Sequence, residues 1–213
     1  MRRIFYDFRL PLFFFCFSLL FSCKDKETSY DDVPEKNAAK DSLTKEERIK
    51  RGEYLITMMG CHDCHSPKKM GERGPELIGE RLLSGHQAGS QLPPMSKDAL
   101  DKGWMLITPD LTAAAGPWGV SYAANLTSHE TGIGTWKFEN FKRALTEGKL
   151  KGQPNGRDLL PPMPWEIFKN AKEEDLRDMF EYLKSTNPVD NAVPAPIPPN
   201  QLDSLARTQT AAR

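Results

Sequence analysis

The chain has 213 residues, 38 % of them hydrophobic, enough for one domain with a packed core and some chain to spare at the ends. Lys plus Arg and Asp plus Glu are equal at 29 each, so no basic footprint for nucleic acid exists and no acidic bias either. Of the four cysteines, Cys16 and Cys23 lie near the N-terminus and the other two share one short motif.

The N-terminus reads as an address. Met1-Arg2-Arg3 is a basic start, Leu10 to Phe21 is mostly Phe and Leu, and Leu20-Phe21-Ser22-Cys23 closes it with a small residue before a cysteine. This run resembles a bacterial lipoprotein signal over residues 1–22, which implies acylation of Cys23 and an extracytoplasmic, periplasm-facing protein held to a membrane by lipid. A spanning helix needs about 20 apolar residues, and this run is shorter and interrupted by Pro11. Residues 23–43 are Lys, Asp, Glu, Ser and Asn with few large apolar side chains, the composition of a tether reaching about 25 Å.

The segment 44–187, the main domain, opens at Thr44-Lys45-Glu46-Glu47, a capping box. The helix it starts should run to about Met59, with Ile49, Gly52, Leu55, Ile56 and Met59 on one face and Gly52 as the place where another helix comes close.

Cys61-His62-Asp63-Cys64-His65 follows at once. Two thiols two residues apart, with histidine directly after the second, is the pattern of covalent haem attachment: both sulfurs add to vinyl groups and His65 takes one axial position on iron. Zinc would want a second Cys or His pair, and a redox dithiol a strand-helix setting; the sequence offers neither. His62 and Asp63 fill the turn.

Ser66 to Thr131 is rich in Gly and Pro and poor in helical periodicity, an ordered loop with room for a short hairpin, laid over the haem. Thr135 to Gly148 should be a helix with Trp136, Phe141, Ala144 and Leu145 inward. A last helix follows Asn170 and Glu173, read as a capping box, with Leu176, Met179, Phe180 and Leu183 as its stripe. Residues 188–213 form a proline strap, extended as polyproline II, and a polar tail.

The second axial ligand decides between electron transfer and ligand chemistry. Met163 in Leu160-Pro161-Pro162-Met163-Pro164-Trp165 and Met95 in Leu92-Pro93-Pro94-Met95 both sit in stiff, proline-rich settings that local chemistry hardly separates. Chain order does separate them. In a small c-type domain the distal ligand arrives on a loop just before the last helix, where Met163 lies and Met95 does not. His86 and His129 are the bis-histidine alternatives, both in the Gly-rich insert.

With these pieces Asn125-Leu126-Thr127, Thr131 to Trp136, Phe141, Asp175-Leu176 and Tyr182-Leu183 resemble a group of bacterial monohaem class I c-type cytochromes, similar to modules found with periplasmic dehydrogenases. The resemblance implies an all-α class I fold with a long insert and one covalent haem c. Cys61 and Cys64 are then the thioether links, His65 the proximal and Met163 the distal ligand. It implies a single-electron carrier rather than an enzyme, exchanging electrons with a dehydrogenase, a quinol-oxidising complex or an oxidase. One haem motif argues against a di-haem peroxidase; a haem-based ligand sensor, in which ligand would displace the distal Met163, is the other alternative, and carbon monoxide binding to reduced protein separates it from a carrier. Asn125, Thr127, Trp136, Trp165, Arg81 and Arg157 are candidates for the haem edge or propionates, with ordinary packing and hydrogen bonding weighed above that role for the first four.

Overall fold

The computed structural model describes residues 43–211; the signal run, Cys23 and the tether through Ser42 lie outside the described residues. Among the described residues no helix is long and apolar enough to cross a membrane.

Helix α1 (Lys45–Met58) begins at the capping box, with Thr44 Oγ1 accepting from the Glu47 amide at 3.2 Å and Glu47 Oε2 from the Thr44 amide at 2.8 Å. Its partner is α6 (Glu173–Ser185). The two backbones meet at Gly52, where a Cβ would fall 2.0 Å from the Asp178 carbonyl oxygen and 2.8 Å from Tyr182 Cβ. Only glycine fits. Beside that contact the Asp178 carboxylate, 1 % exposed, accepts from Arg48 at 3.2 Å and Arg51 at 2.6 Å, and Arg51 also pairs with Asp175. A carboxylate this deep is tolerable because two guanidinium groups surround it.

Behind the crossing lies the helical core: Ile56, Leu83, Ile133, Phe141, Leu145, Phe168, Leu176, Met179, Phe180 and Leu183. Burying each of the large side chains is worth about 1.5–3 kcal/mol, and Ile133 and Leu183 are completely covered. Helix α4 (Phe138–Thr146) supplies Phe141, Ala144 and Leu145, starting three residues later than the sequence pattern suggests. Thr135 and Trp136 instead lead into it through a turn in which the Trp136 amide donates to Ile133 O at 2.9 Å.

The expected Asn170–Glu173 capping box does not form. Lys172 is the N-cap and makes no side-chain cap. Glu173 is drawn away to Lys142 and to Arg177, whose Nη2 lies 2.5 Å off. Three acidic residues in the first turn offset the missing cap by facing the positive end of the helix dipole.

The insert is where the structure departs from an all-helical layout. Strands β1 (Lys68–Gly71) and β2 (Gly74–Leu77) make a hairpin, Lys68 opposite Leu77 and Gly71 opposite Gly74. After α2 (Cys61–His65) and a short α3 (Lys97–Asp101), β3 (Leu106–Ile107), β4 (Ala113–Gly116) and β5 (Gly119–Tyr122) form an antiparallel meander in the order β3-β4-β5.

The proline strap closes on that sheet. Val120 and Ile197 exchange backbone hydrogen bonds of 2.8 and 3.0 Å, and a Cβ at Gly119, whose φ is +98°, would lie 1.9 Å from Ile197 O. The polar tail is helical as well: α7 (Leu202–Ala211) buries Leu202 against Ala115 and Val120. Gln209 fastens α7 to the insert, accepting from the Met95 amide at 3.0 Å and donating to Leu92 O at 3.2 Å.

Candidate functional site

Helix α1 stops because Gly60 adopts φ +68°, a left-handed break, and α2 starts in the next residue. The five residues Cys61 to His65 therefore occupy one isolated helical turn, hinged off the core helix by a glycine. Cys61 is partly buried and packs against the helical core, while Cys64 is exposed. Burial pushes the Cys61 thiol up to about 11 and raises Cys64 as well, with neighbouring Asp63 adding to both. Neither is tuned as a thiolate, which argues against a redox dithiol.

His65 is held at both ends. Its carbonyl accepts from the Gly85 amide at 2.8 Å, and its Nδ1 lies 2.8 Å from Ala124 O. A carbonyl can only accept, so Nδ1 carries the proton and Nε2 is left with a free lone pair. Burial lowers the His65 pKa against the opposing pull of the Ala124 carbonyl, which favours that neutral form. The loop can come this close because Gly85 has φ +77°; a Cβ there would lie 2.5 Å from Ala123 O. Ser66, fully buried, accepts from the Leu83 amide at 2.9 Å, and Lys68 Nζ donates to Ser66 O at 3.2 Å and Asp110 O at 3.0 Å. These contacts clamp the turn to the insert.

Met163 packs at the margin of the same helical core as Cys61. Its loop is pinned on both sides: Ser121 Oγ, on β5, donates to Pro161 O at 2.6 Å, and the Trp165 amide donates to Met163 O at 3.0 Å. The Trp165 ring lies on Gly148, where a Cβ would sit 2.4 Å from it, and opens α5 (Trp165–Phe168). Met95 belongs elsewhere, with Leu92, Leu100 and Leu205 in the small core around Leu202.

The two alternative histidines are engaged locally. His86 is 4 % exposed and pairs with Thr112 Oγ1 at 2.8 Å, and His129 pairs with Thr131 Oγ1 at 2.9 Å. Asn125 and Thr127 are buried and serve the loop and strap: Asn125 Nδ2 donates to Val189 O at 2.8 Å and to Thr131 Oγ1 at 3.1 Å, while its Oδ1 accepts from the Thr127 amide at 2.9 Å. Trp136 packs on the helical core, and Arg157 donates to Asp158 O at 2.7 Å. Sequence reasoning missed Gly85, Ala124 and Ser121. Gly85 alone carried a signal, as a glycine; a backbone carbonyl such as that of Ala124 carries none.

A detached Cys-x-x-Cys-His turn beside a crossed pair of helices is the arrangement of a c-type cytochrome module. No family model matches the chain. It is 34 % identical over 156 residues to the fructose dehydrogenase cytochrome subunit of Gluconobacter japonicus, 72 % of this chain and 24 % of that one. It is 26 % identical over 147 residues to the gluconate 2-dehydrogenase cytochrome c subunit of Pantoea cypripedii, 68 % of this chain and 25 % of that one. A third match, 27 % identical over 136 residues, is to the cytochrome c subunit of the quinone-dependent alcohol dehydrogenase of Gluconobacter oxydans, covering 63 % of this chain and 20 % of that subunit. The chain thus spans about a quarter or less of the length of these relatives. It carries a cytochrome c module related to the cytochrome c subunits of dehydrogenases.

Proposed function

We propose that the chain is a single-electron carrier with one covalent haem c, bonded through Cys61 and Cys64 and ligated by His65 and Met163. The observation that carries this is the His65 tautomer: Nδ1 is spent on Ala124 O at 2.8 Å, which leaves Nε2 as the metal-binding nitrogen. The rest of the donor set suits the same group. The two thiols share one turn, both protonated and unpaired by disulfide, and Met163 offers a neutral thioether from a loop fixed at Pro161 and Met163 O. Bound there, haem would supply a one-electron iron couple, and a soft, neutral thioether donor from Met163 would favour its ferrous state.

What the protein contributes is position. Gly85 and Ala124 fix the imidazole ring, β5 steadies the Met163 loop through Ser121, and the helical core keeps water from the covered side. The partner we favour is a dehydrogenase, because the relatives are cytochrome subunits of such enzymes. An oxidase or quinol-oxidising complex would take the other end of the transfer. We further propose that Cys23 is lipidated and holds the module to a bacterial membrane, facing the periplasm, with residues 23–43 as tether.

The test is spectroscopic. Purified protein denatured in alkaline pyridine should retain haem, and Cys61→Ala with Cys64→Ala should release it. Met163→Ala should lower the midpoint potential and let carbon monoxide bind the reduced protein quickly. An unchanged spectrum and potential in Met163→Ala would remove Met163 as ligand. Cys23→Ser should move the protein from the membrane to the soluble fraction, and its retention on the membrane would overturn the lipid anchor.

A further inference from the structure

One buried titratable group takes no part in haem binding as proposed. His86 is 4 % exposed, in the insert, and lines a cavity of about 320 Å³ with Lys68, Ser90, Gln91, Thr108 and Asp110. Its ring packs against Tyr122, centroids 4.7 Å apart. Its Nε2 is buried and has no hydrogen-bond partner among the described residues. A buried nitrogen without a partner leaves its desolvation uncompensated, so its persistence calls for a use.

Hydrogen positions around it follow from the partners. Thr112 Oγ1 donates to Asp110 Oδ2 at 2.8 Å, and Thr108 Oγ1 donates to Asp110 Oδ1 at 2.7 Å. Burial alone would raise the Asp110 carboxyl, but these hydrogen bonds outweigh it and hold it below the ordinary carboxylate range. Asp110 is therefore ionised and the Thr112 proton is committed to it. His86 Nδ1, 2.8 Å from Thr112 Oγ1, must then be the donor, and Nε2 is a bare lone pair, the only place where a proton can add.

The same residue is mechanically joined to the site. The His86 amide donates to Ala123 O at 2.9 Å, the next carbonyl, Ala124 O, holds His65 Nδ1, and the Gly85 amide holds His65 O. From the strap, Asn191 Nδ2 donates to both Ser84 O and His86 O, at 2.7 and 2.9 Å, so the 84–86 segment has no slack.

Resting on the haem reading above, we propose that His86 Nε2 is a proton-binding site coupled to the oxidation state of the haem, taking up a proton on reduction and releasing it on oxidation. The balance is one electron to iron and one proton to Nε2, so the net charge of the module is the same before and after. Oxidised iron carries one more positive charge than reduced iron, and that charge opposes the imidazolium. Three groups face or share the cavity with His86. Asp110 favours the imidazolium, Lys68 opposes it with an ammonium already bonded to backbone carbonyls, and Tyr122, whose burial raises its own pKa, stays neutral. Burial lowers the His86 pKa, with Asp110 pulling the other way.

The experiment is the midpoint potential of the intact haem protein from pH 4.5 to 8.5, for wild type and His86→Gln, which keeps an amide donor for Thr112. A tenfold difference in His86 proton affinity between the two oxidation states converts to 59 mV for a one-electron couple. The wild-type potential should fall by about that amount for each such factor as pH rises through the two His86 pKa values, and His86→Gln should lose that fall. Haem propionates titrate in both proteins, so the difference between them is the readout. The His86 ring resonances of wild type, followed in the reduced and oxidised protein, give the same quantity without a variant. An equal pKa in both states, or the same pH slope in His86→Gln, overturns the proposal while leaving the haem reading intact. Protein without covalent haem overturns the reading on which it rests.

Discussion

The crossing of α1 and α6 gives a sharp test of the packing argument. In Gly52→Ala the new Cβ would begin 2.0 Å from the Asp178 carbonyl oxygen, where real Cβ contacts stay above about 3 Å, so the helices must part by about 1 Å. The obstacle is backbone, with no side chain to swing away. Overpacking of this kind costs about 3 kcal/mol, while alanine returns about 1 kcal/mol of helix propensity, leaving a loss of about 2 kcal/mol. The parting also lengthens the Arg48 and Arg51 contacts to Asp178. For a chain of this length, a loss of about 2 kcal/mol lowers Tm by about 4–8 °C. Thermal unfolding of the haem-loaded protein, followed by circular dichroism, measures it, with exposed Glu53→Ala as the control expected within about 0.5 kcal/mol of wild type. A Tm for Gly52→Ala equal to or above wild type would refute the close approach.

Asn125→Ala should cost about 2–3 kcal/mol, because the Val189 carbonyl and the Thr127 amide lose their buried partner; chemical denaturation reads this as a lower midpoint with an unchanged slope. Asp110 has a depressed carboxyl pKa, so it stabilises the fold above the unfolded carboxylate value and that contribution disappears as pH falls through the folded value. Asp110→Asn should therefore be less stable than wild type at pH 7 and lose less stability on acidification to pH 3, as followed by Tm against pH.

Much of the helical part was legible because its signals are local. Thr44 and Glu47 formed the box their spacing implies, Gly52 marked the close approach, and the Leu176-Met179-Phe180-Leu183 stripe faces the core. The Asn170–Glu173 box failed although its spacing was as good, since Glu173 found two cations, one of them on α4, that no local window can weigh. The three-stranded meander was hidden for a different reason. Ala113 to Gly116 is buried at all four positions, so the alternation that betrays a half-exposed strand is absent, and alanine is a poor strand former on its own. The tail read as polar because Leu202 and Leu205 are few; helix α7 rests on the insert it meets, a contact more than a hundred residues away in sequence. At the site, Cys61 to His65 form the single helical turn that their spacing suggests, whereas the Ala124 carbonyl beside His65 Nδ1 has no residue signature and Gly85 only that of a glycine.

The exchange of hydrogen bonds between Val120 and Ile197 makes the insert and the C-terminal segment one structural unit assembled from two distant stretches of chain. Each covers apolar surface that the other would otherwise leave bare, Leu202 lying on Ala115 and Val120. Neither piece is a modular accessory. A graft of the insert onto a shorter cytochrome would need the strap and α7 to travel with it, and trimming the chain before Pro188 would expose the sheet whose Ser121 steadies the Met163 loop. Shortening a terminus far from the Cys61–His65 turn would then reach the loop that carries Met163.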